Sequence, residues 1–330
     1  MRKQRGSAWL PTMLLLLPVL LLLGILPHLP AGESRVFAVL QAVLPLLALT
    51  VLGLALLMLL RGKRLVAMLL GVSVVVSLAP GFFSQQSLGV HRASIHGEKC
   101  ESSRGFSVLS LNAGRGSANV AQLGSFIERE VPDVLVLVET NEAMISELQR
   151  SVSGWNYQHR TTPVVHGGSV DSVILSSSPL TQETNAVSQS QEVLFDLPVA
   201  VIDHPTLGEI RLVAVHPMPP THHPEMWAHT LERLALWHKT QSDMPLIMAG
   251  DFNATHSHPE FRAVSQGFSD VSPRFGPLNL ATWPADASLP AFAAIDHVLV
   301  KELKAVKSER FSLPGTDHHG ILSRLARCES

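Results

Sequence analysis

The chain has 330 residues, 46% of them hydrophobic and 16% charged, with a mean hydropathy of +0.24. Seven of its 25 basic residues but only one of its 27 acidic residues, Glu33, lie in 1–83, which leaves 18 basic against 26 acidic residues, a net of −8, in the remainder. This division excludes a single water-soluble domain, because the first quarter has too little polar surface to meet water. It also excludes a disordered chain and disfavours a nucleic-acid-binding surface, which carries a basic excess.

Three apolar runs fill the first quarter, Trp9 to Leu26, Val36 to Leu60 and Leu65 to Phe83. About 20 helical residues cross a hydrocarbon layer of ~30 Å, so the runs predict three transmembrane helices. Gln41 is the only strongly polar member of the second run, and Pro18 and Pro45 are tolerated in spanning helices. Basic flanks stay cytoplasmic. Arg2, Lys3 and Arg5 before the first run, with Arg61, Lys63 and Arg64 between the second and third, put the N-terminus inside and everything after residue 84 outside. A cleavable signal peptide is the rival for the first run, although Leu29-Pro30-Ala31-Gly32 matches a cleavage site poorly. Either way the rest of the chain is delivered outside a cell membrane. Cys100 and Cys328 flank that exported part, where disulfides persist, so a bridge closing a loop of about 228 residues is expected.

Residues 84–105 read as a polar linker. Beyond it, 106–330 predict one α/β domain. Strands are expected at Phe106 to Ala113, Asp133 to Glu139, Val173 to Ser176, Val193 to Asp203, Glu209 to His216, Met244 to Ala249, Ala294 to Val300, Ala305 to Ser312 and His319 to Leu325. Helices are expected at Asn119 to Glu130, Asn141 to Arg150, His223 to Thr240 and Ser257 to Ser265. Adjacent strands among the helices predict layers around a mixed sheet rather than strict βαβ winding. Gly114–Gly116 follows a strand but lacks the Lys and Ser/Thr of a phosphate loop.

Polar residues recur at or just beyond predicted strands: Asn112, Glu139, His216, Asp251, Asn253, Asp296, Asp317 and His318. Strand ends face a common rim, where groups distant in sequence converge. Carboxylates and amides suit a hard cation such as Mg²⁺ or Mn²⁺, and no Cys/His spacing for zinc is present. Each residue also has a plain structural reading. Asn112 can cap the turn after its strand, Glu139 can act as a capping acid before the next helix, and Asp296 can be a strand-edge charge. His222, His223 and His229 read as a polar loop and helix start near the rim, and His256 and His258 as decoration of the loop after GDFN. His159 and His166 flank a Gly-rich loop and carry no assignment, and Trp283 reads as packing at a turn or a wall of a cleft.

The ordered set LSLN, LVET, AVHP, GDFN, IDH and TDH resembles the endonuclease/exonuclease/phosphatase superfamily over residues 106–325. The resemblance implies a four-layer, DNase I-like α/β sandwich and metal-dependent cleavage of phosphoesters. It implies Glu139 as main metal ligand beside Asn112 and Asp317. Asp251 and Asn253 are implied to position the attacking water and bind a phosphate oxygen, with Asp251 a candidate base. His318, oriented by Asp296, is implied to contact the phosphate, and His216 to act as phosphate ligand or general acid. Thr316 stands where the family usually has Ser, and His319 follows His318, so register with the family alone chooses between the two histidines. Three spans before an exported domain, with HPMPP and TWP, also resemble the VanJ-type teicoplanin-resistance branch. The expectation is therefore a multi-pass membrane phosphoesterase whose substrate is a phospholipid or lipid-linked (polyprenyl) phosphate. A tethered extracellular nuclease and a non-catalytic envelope module are the alternatives.

Overall fold

A computed structural model describes residues 23–87, 105–162, 171–183, 187, 197–241, 243–275, 278–286, 288 and 290–327. Two six-stranded sheets organise the C-terminal part. The first has the order β13-β14-β1-β2-β4-β3, built from β1 (Phe106–Asn112), β2 (Val134–Thr140), β3 (His159–Arg160), β4 (Asp171–Ser176), β13 (Lys304–Phe311) and β14 (Gly320–Ala326). The second has the order β5-β6-β7-β8-β12-β9, built from β5 (Leu180–Glu183), β6 (Val199–His204), β7 (Gly208–Val215), β8 (Leu246–Asp251), β9 (Ser269–Asp270) and β12 (Asp296–Lys301). A small pair, β10 (Arg274–Phe275) and β11 (Leu278–Asn279), stands apart.

Side-chain alternation assigns the layers. Phe106, Val108, Val134 and Val136 meet Ile210, Leu212, Ile247 and Val298 between the two sheets. Leu109, Leu111, Leu135 and Leu137 face the other way, under α4 (Val120–Glu130) and α5 (Glu142–Ser151). Val213, Val215, Met248 and Leu299 likewise pack beneath α6 (Pro224–His238) and α7 (Pro259–Ser265). Both faces of each central strand are thus buried, which is why VLVLV is continuously apolar. The result is helices, sheet, sheet, helices. Local signals set the helix starts: the Asn119 and Asn141 side chains accept from the backbone N–H groups of Gln122 and Met144, both at 2.9 Å, and Pro224 and Pro259 open α6 and α7.

The expected elements of the domain form close to their predicted positions. β3, β5 and β9–β11 were not anticipated, being two to four residues long, too short for a period. The first four residues of the expected strand at Val193, and both cysteines, lie outside the described residues.

The N-terminal part departs from expectation. Of the first expected span only its last four residues are described. The second is broken: α1 (Arg35–Ala42) and α2 (Leu44–Leu60) meet at Val43 with a bend of 62°. Pro45 accounts for the break, since it has no N–H and its ring would collide with the carbonyl four residues back; at the second position of a new helix it is accommodated. Gln41 fixes the bend. Buried, it donates from Nε2 to the carbonyls of Leu26 (2.6 Å) and Leu29 (2.8 Å). Among the described residues one helix, α3 (Arg64–Ser87), is long and apolar enough to cross a membrane, and the bent pair α1–α2 would count as a second only if it is one span. The turn between α2 and α3 is a Schellman motif: Gly62, at φ +74°, donates to the carbonyl of Leu59 and Lys63 to that of Met58.

α1 and the 3-10 turn before it (Ala31–Glu33) pack on the sandwich, with Ala31 and Ala38 in the core beneath α6 and α7. Glu260 accepts from the N–H groups of Ala31 (2.6 Å) and Gly32 (3.2 Å), and Arg262 donates to the carbonyl of Pro27 at 2.6 Å. A Cβ at Gly32 would stand 2.4 Å from that of Ala228, so only glycine permits this approach. His258, expected on a loop surface, is instead buried: Nε2 donates to the Ala38 carbonyl (3.0 Å) and Nδ1 accepts from the Thr255 N–H (2.9 Å). Burial pushes its pKa down to about 4, against the pull of its backbone hydrogen bonds with Ala38 and Thr255.

The unfolded chain therefore takes up a proton at His258 near its ordinary value, while the folded chain resists until about pH 4. Stability is full above pH 6.5 and falls as pH drops through that window, by about 3 kcal/mol from this group. Burial pushes His204, His238 and His256 in the same direction. Thermal melts between pH 7.5 and 4.5 should show a falling midpoint, with a shallower fall in His258→Gln; parallel curves would refute the assignment.

Candidate active site

Topology brings the polar residues to one rim. β1 and β2 run parallel, as do β7 and β8, and end at Asn112, Thr140, Val215 and Asp251. β12 is antiparallel to β8 and β14 to β1, so their starts meet those ends. Asp296 is therefore the first residue of its strand, paired directly with Asp251, rather than an interior one, and Asp317 and His318 lie just before β14. A cavity of about 730 Å³ opens here, lined by Glu139, Asp251, Asn253, Asp317 and His318 among others.

Backbone geometry aims the acids. Glu139 has φ +49° beside a register shift in the β2–β4 ladder between Leu137 and Thr140. A bulge of this kind redirects a side chain, and a left-handed non-glycine residue is a local cost that the fold must hold in place. Asn253 also adopts φ +50°, and its N–H donates to Asp251 Oδ1 at 2.7 Å. Gly250, at φ +143°, passes so close to β7 that a Cβ would collide with the Val215 carbonyl. The capping reading of Glu139 is replaced by Asn141, which is the cap.

Asn112 is buried and donates from Nδ2 to Glu139 Oε1 (3.2 Å) and Asp251 Oδ2 (3.1 Å). Its Oδ1 accepts from the Gly114 N–H at 3.0 Å, so it does cap its turn. In this orientation the Asn112 amide ties two carboxylates together. His216, buried just after β7, has Nε2 3.4 Å from Glu139 Oε1. Burial pulls the Glu139 pKa upward, but the hydrogen bond and charge of His216, the Asn112 amide and the charge of His318 outweigh it and hold the carboxyl at about 2. Asp251 goes the other way. Burial, reinforced by Asp296, raises it to about 6 in spite of His318 and His216.

His318 lies between the two aspartates. Nδ1 is 2.9 Å from Asp296 Oδ2, and Nε2 is 3.8 Å from Asp251 Oδ2 and 3.9 Å from Asp317 Oδ1. Burial alone would lower its pKa, but Asp296, Asp251 and Asp317 raise it to about 10, so it is an imidazolium at neutral pH. Its backbone N–H donates to Thr316 Oγ1, which itself donates to the Asn112 carbonyl at 2.8 Å. Thr316 thus performs the hydroxyl's structural task. His319 is directed elsewhere, with Nδ1 2.8 Å from Ser312 Oγ. Asp317 is more open than Glu139, Asp251 or Asp296, its side chain 44% exposed, and Trp283 Nε1 donates to its Oδ2 at 2.9 Å. Trp283 lines the cavity and fixes Asp317, a positioning role that a single aromatic at a turn does not announce in sequence. His222 lines the same cavity, while His223 precedes α6, 3.6 Å from Glu225.

The residues suit a divalent cation. Glu139 and Asp317 offer oxygen donors to the cavity, and Asp251 and Asp296 add buried carboxylates. Against these acids the described lining carries one permanent cation, Arg115, besides His318. This donor set is hard and short of positive charge. A second cluster, His256, Asp270 and His297, is buried beneath the site. Asp270 Oδ2 lies 2.8 Å from His256 Nε2 and 2.9 Å from His297 Nδ1, and the Asn279 amide donates to it at 2.6 Å. These are hydrogen-bond separations, and the cluster braces β9 against β12 and the loop after β8. His256, like His258, is therefore internal rather than loop decoration; the sequence conceals this because its partner lies 14 residues away in a two-residue strand.

Solved structures share this fold. A humanised D. rerio TDP2 matches with a TM-score of 0.54 at 18% identity, covering 67% of this chain and 98% of that one. D. rerio TDP2 complexed with a single-strand DNA product matches with a TM-score of 0.53 at 16% identity, covering 67% and 98%. A functionally unknown conserved protein from Enterococcus faecalis V583 matches with a TM-score of 0.52 at 13% identity, covering 67% and 100%. Among curated proteins no sequence matches significantly. The model of the endonuclease/exonuclease/phosphatase family matches residues 109–318, a stretch that begins three residues before Asn112 and ends on His318. With nearly two thirds of its length inside that match, the chain belongs to the endonuclease/exonuclease/phosphatase family.

Proposed function

We propose that the chain is a metal-dependent phosphoesterase, anchored in a cell membrane with its sandwich on the outer side, that hydrolyses a phospholipid or a lipid-linked phosphate. The observation that carries the chemistry is the His318 ring held between Asp296 and Asp251 on the cavity that Glu139 and Asp317 also line. Glu139 and Asp317 would hold Mg²⁺ or Mn²⁺, with Asn112 steadying Glu139. A cation there supplies positive charge against the phosphate oxygens as negative charge develops on them.

The chain's own groups do the rest. Asp251, with its pKa raised to about 6, is ionised in large part at neutral pH yet basic enough to take a proton from the attacking water. Asn253, locked by its N–H on Asp251 and by Nδ2 on the Pro217 carbonyl (3.0 Å), borders the same space. His318 keeps Nδ1–H on Asp296 and turns Nε2 to the cavity, placed to donate to a phosphate oxygen. His216 stays on Glu139, holding that carboxylate ionised. Preorganised donors of this kind spare the site any reorganisation as charge builds up.

Two features support a lipid substrate. A lining with one arginine and no lysine among the described residues suits one small phosphate group better than a polyanionic strand. α2 and α3 expose an apolar surface that includes Leu49, Leu56, Leu60, Met68 and Val75. The distribution of charge on the hairpin also supports this reading. α1 and the α3 residue Gly81 contact the sandwich, while the basic turn at Arg61–Arg64 lies at the far end of α2, roughly 25 Å away. Resemblance to the VanJ-type branch directs the substrate proposal to polyprenyl phosphates or pyrophosphates.

Full-length protein in nanodiscs with Mg²⁺ or Mn²⁺ should release phosphate from a polyprenyl pyrophosphate or from a phospholipid with a terminal phosphate (a phosphatidate), stop with a chelator and recover on adding metal. Plasmid cleavage without phosphate release would establish the nuclease reading instead. Glu139→Gln and His318→Asn should each lower kcat/KM by a factor of about 10²–10³, whereas His319→Asn should stay within a few-fold of wild type. Equal losses in the two histidine variants would overturn the assignment of His318.

A further inference from the structure

The catalytic cavity has one wall that the sandwich does not make. Ala38, Val39, Ala42 and Val43, from α1 and the bend after it, line it opposite Glu139, Asp317 and His318, and Phe292 and Pro219 continue the apolar surface. α1 is held there by buried polar contacts, the Ala38 carbonyl on His258 and Gln41 on Leu26 and Leu29. Of these residues Val39 is 45% exposed, an apolar side chain on the cavity lining next to the buried Ala38. One residue beyond Val43, α2 departs at 62° into the apolar hairpin. A path lined by apolar side chains therefore joins the phosphate-binding groups to the surface that would meet lipid.

We propose that α1 is the tail-binding wall of the active site: the hydrocarbon chain of one lipid-linked phosphate lies along Val39, Ala42, Val43 and Phe292 while its phosphate sits at Glu139, Asp317 and His318. This rests on the phosphoesterase reading above and names the part of that site which selects a lipid. The geometry accounts for why the expected second span is broken. A straight helix over Val36 to Leu60 would carry Val39 and Ala42 away from the cleft, whereas the break at Val43 turns eight residues back onto the sandwich. It also gives Gln41 a purpose, since the only strongly polar residue of the run is the one that holds the wall in place.

The test uses the full-length protein in nanodiscs and a series of alkyl p-nitrophenyl phosphates from methyl to hexyl, which share one leaving group and differ only in tail. Each methylene that leaves water for the wall is worth roughly fourfold in kcat/KM, about 0.8 kcal/mol. In wild type the hexyl-to-methyl ratio should exceed tenfold, and Val39→Asp or Ala42→Asp should bring it towards one. A steep ratio that both variants leave untouched overturns the inference while the phosphoesterase reading stands. If no ester is hydrolysed, that reading fails by itself, and binding decides the wall. Dodecyl phosphate with a diazirine near the tail end should label the peptide containing Val39 to Val43. Label confined to the outer faces of α2 and α3 would overturn it.

Discussion

Asp251 and Asp296 face each other across the antiparallel pair β8–β12, both buried at the first or last position of their strands. Two carboxylates cannot both stay ionised in such a place without a positive group between them. His318 is that group, and its long reach from the loop before β14 is what makes the first sheet necessary to the second. The same arrangement divides the labour. Asp296 takes the imidazole's Nδ1 and keeps it charged, so Asp251 is left as the acid whose proton affinity rises. The neighbouring Glu139 is driven the opposite way by His216 and Asn112. One rim thus holds carboxyl groups at about 2 and about 6, separated by their surroundings rather than by residue type.

The second constraint is the contact between the N-terminal segment and the sandwich. A helix expected to lie wholly in lipid is instead split; His258 binds its first part and Glu260 and Arg262 bind the turns before it, three alternate residues around the start of α7. α7 also carries Phe261 and Val264 into the core beneath the second sheet. A short helix therefore couples the apolar segment to the strand ends that hold the candidate site.

Much of the sandwich was legible in the chain. Alternation in FSVLSLN and the continuous run VLVLV mark strands whose faces are both covered, and asparagines before α4 and α5 mark their starts. The candidate site was legible as a list, because its members cluster at strand ends in short motifs. The roles within the list were less so. Asn112 carries its amide, not its oxygen, to the acids, and Trp283 holds Asp317 from a segment with no pattern of its own. The burial of His256 and His258 depends on Asp270 and on Ala38, partners 14 and 220 residues away, which no local window can contain.

By itself the sequence determined the order of the longer strands and helices, the separation of an apolar quarter from an acidic domain, and the set of polar residues available at one rim. These follow from period and composition, which act over a few residues at a time. Only the tertiary structure decided which side chains face one another. The antiparallel register of β8 with β12 sets Asp251 against Asp296, and the turn before β14 selects His318 over His319. The bend at Val43 brings α1 to the cleft instead of leaving it in a straight span. Those choices depend on contacts between segments far apart in the chain, where hydrogen bonds and packing outweigh local preference.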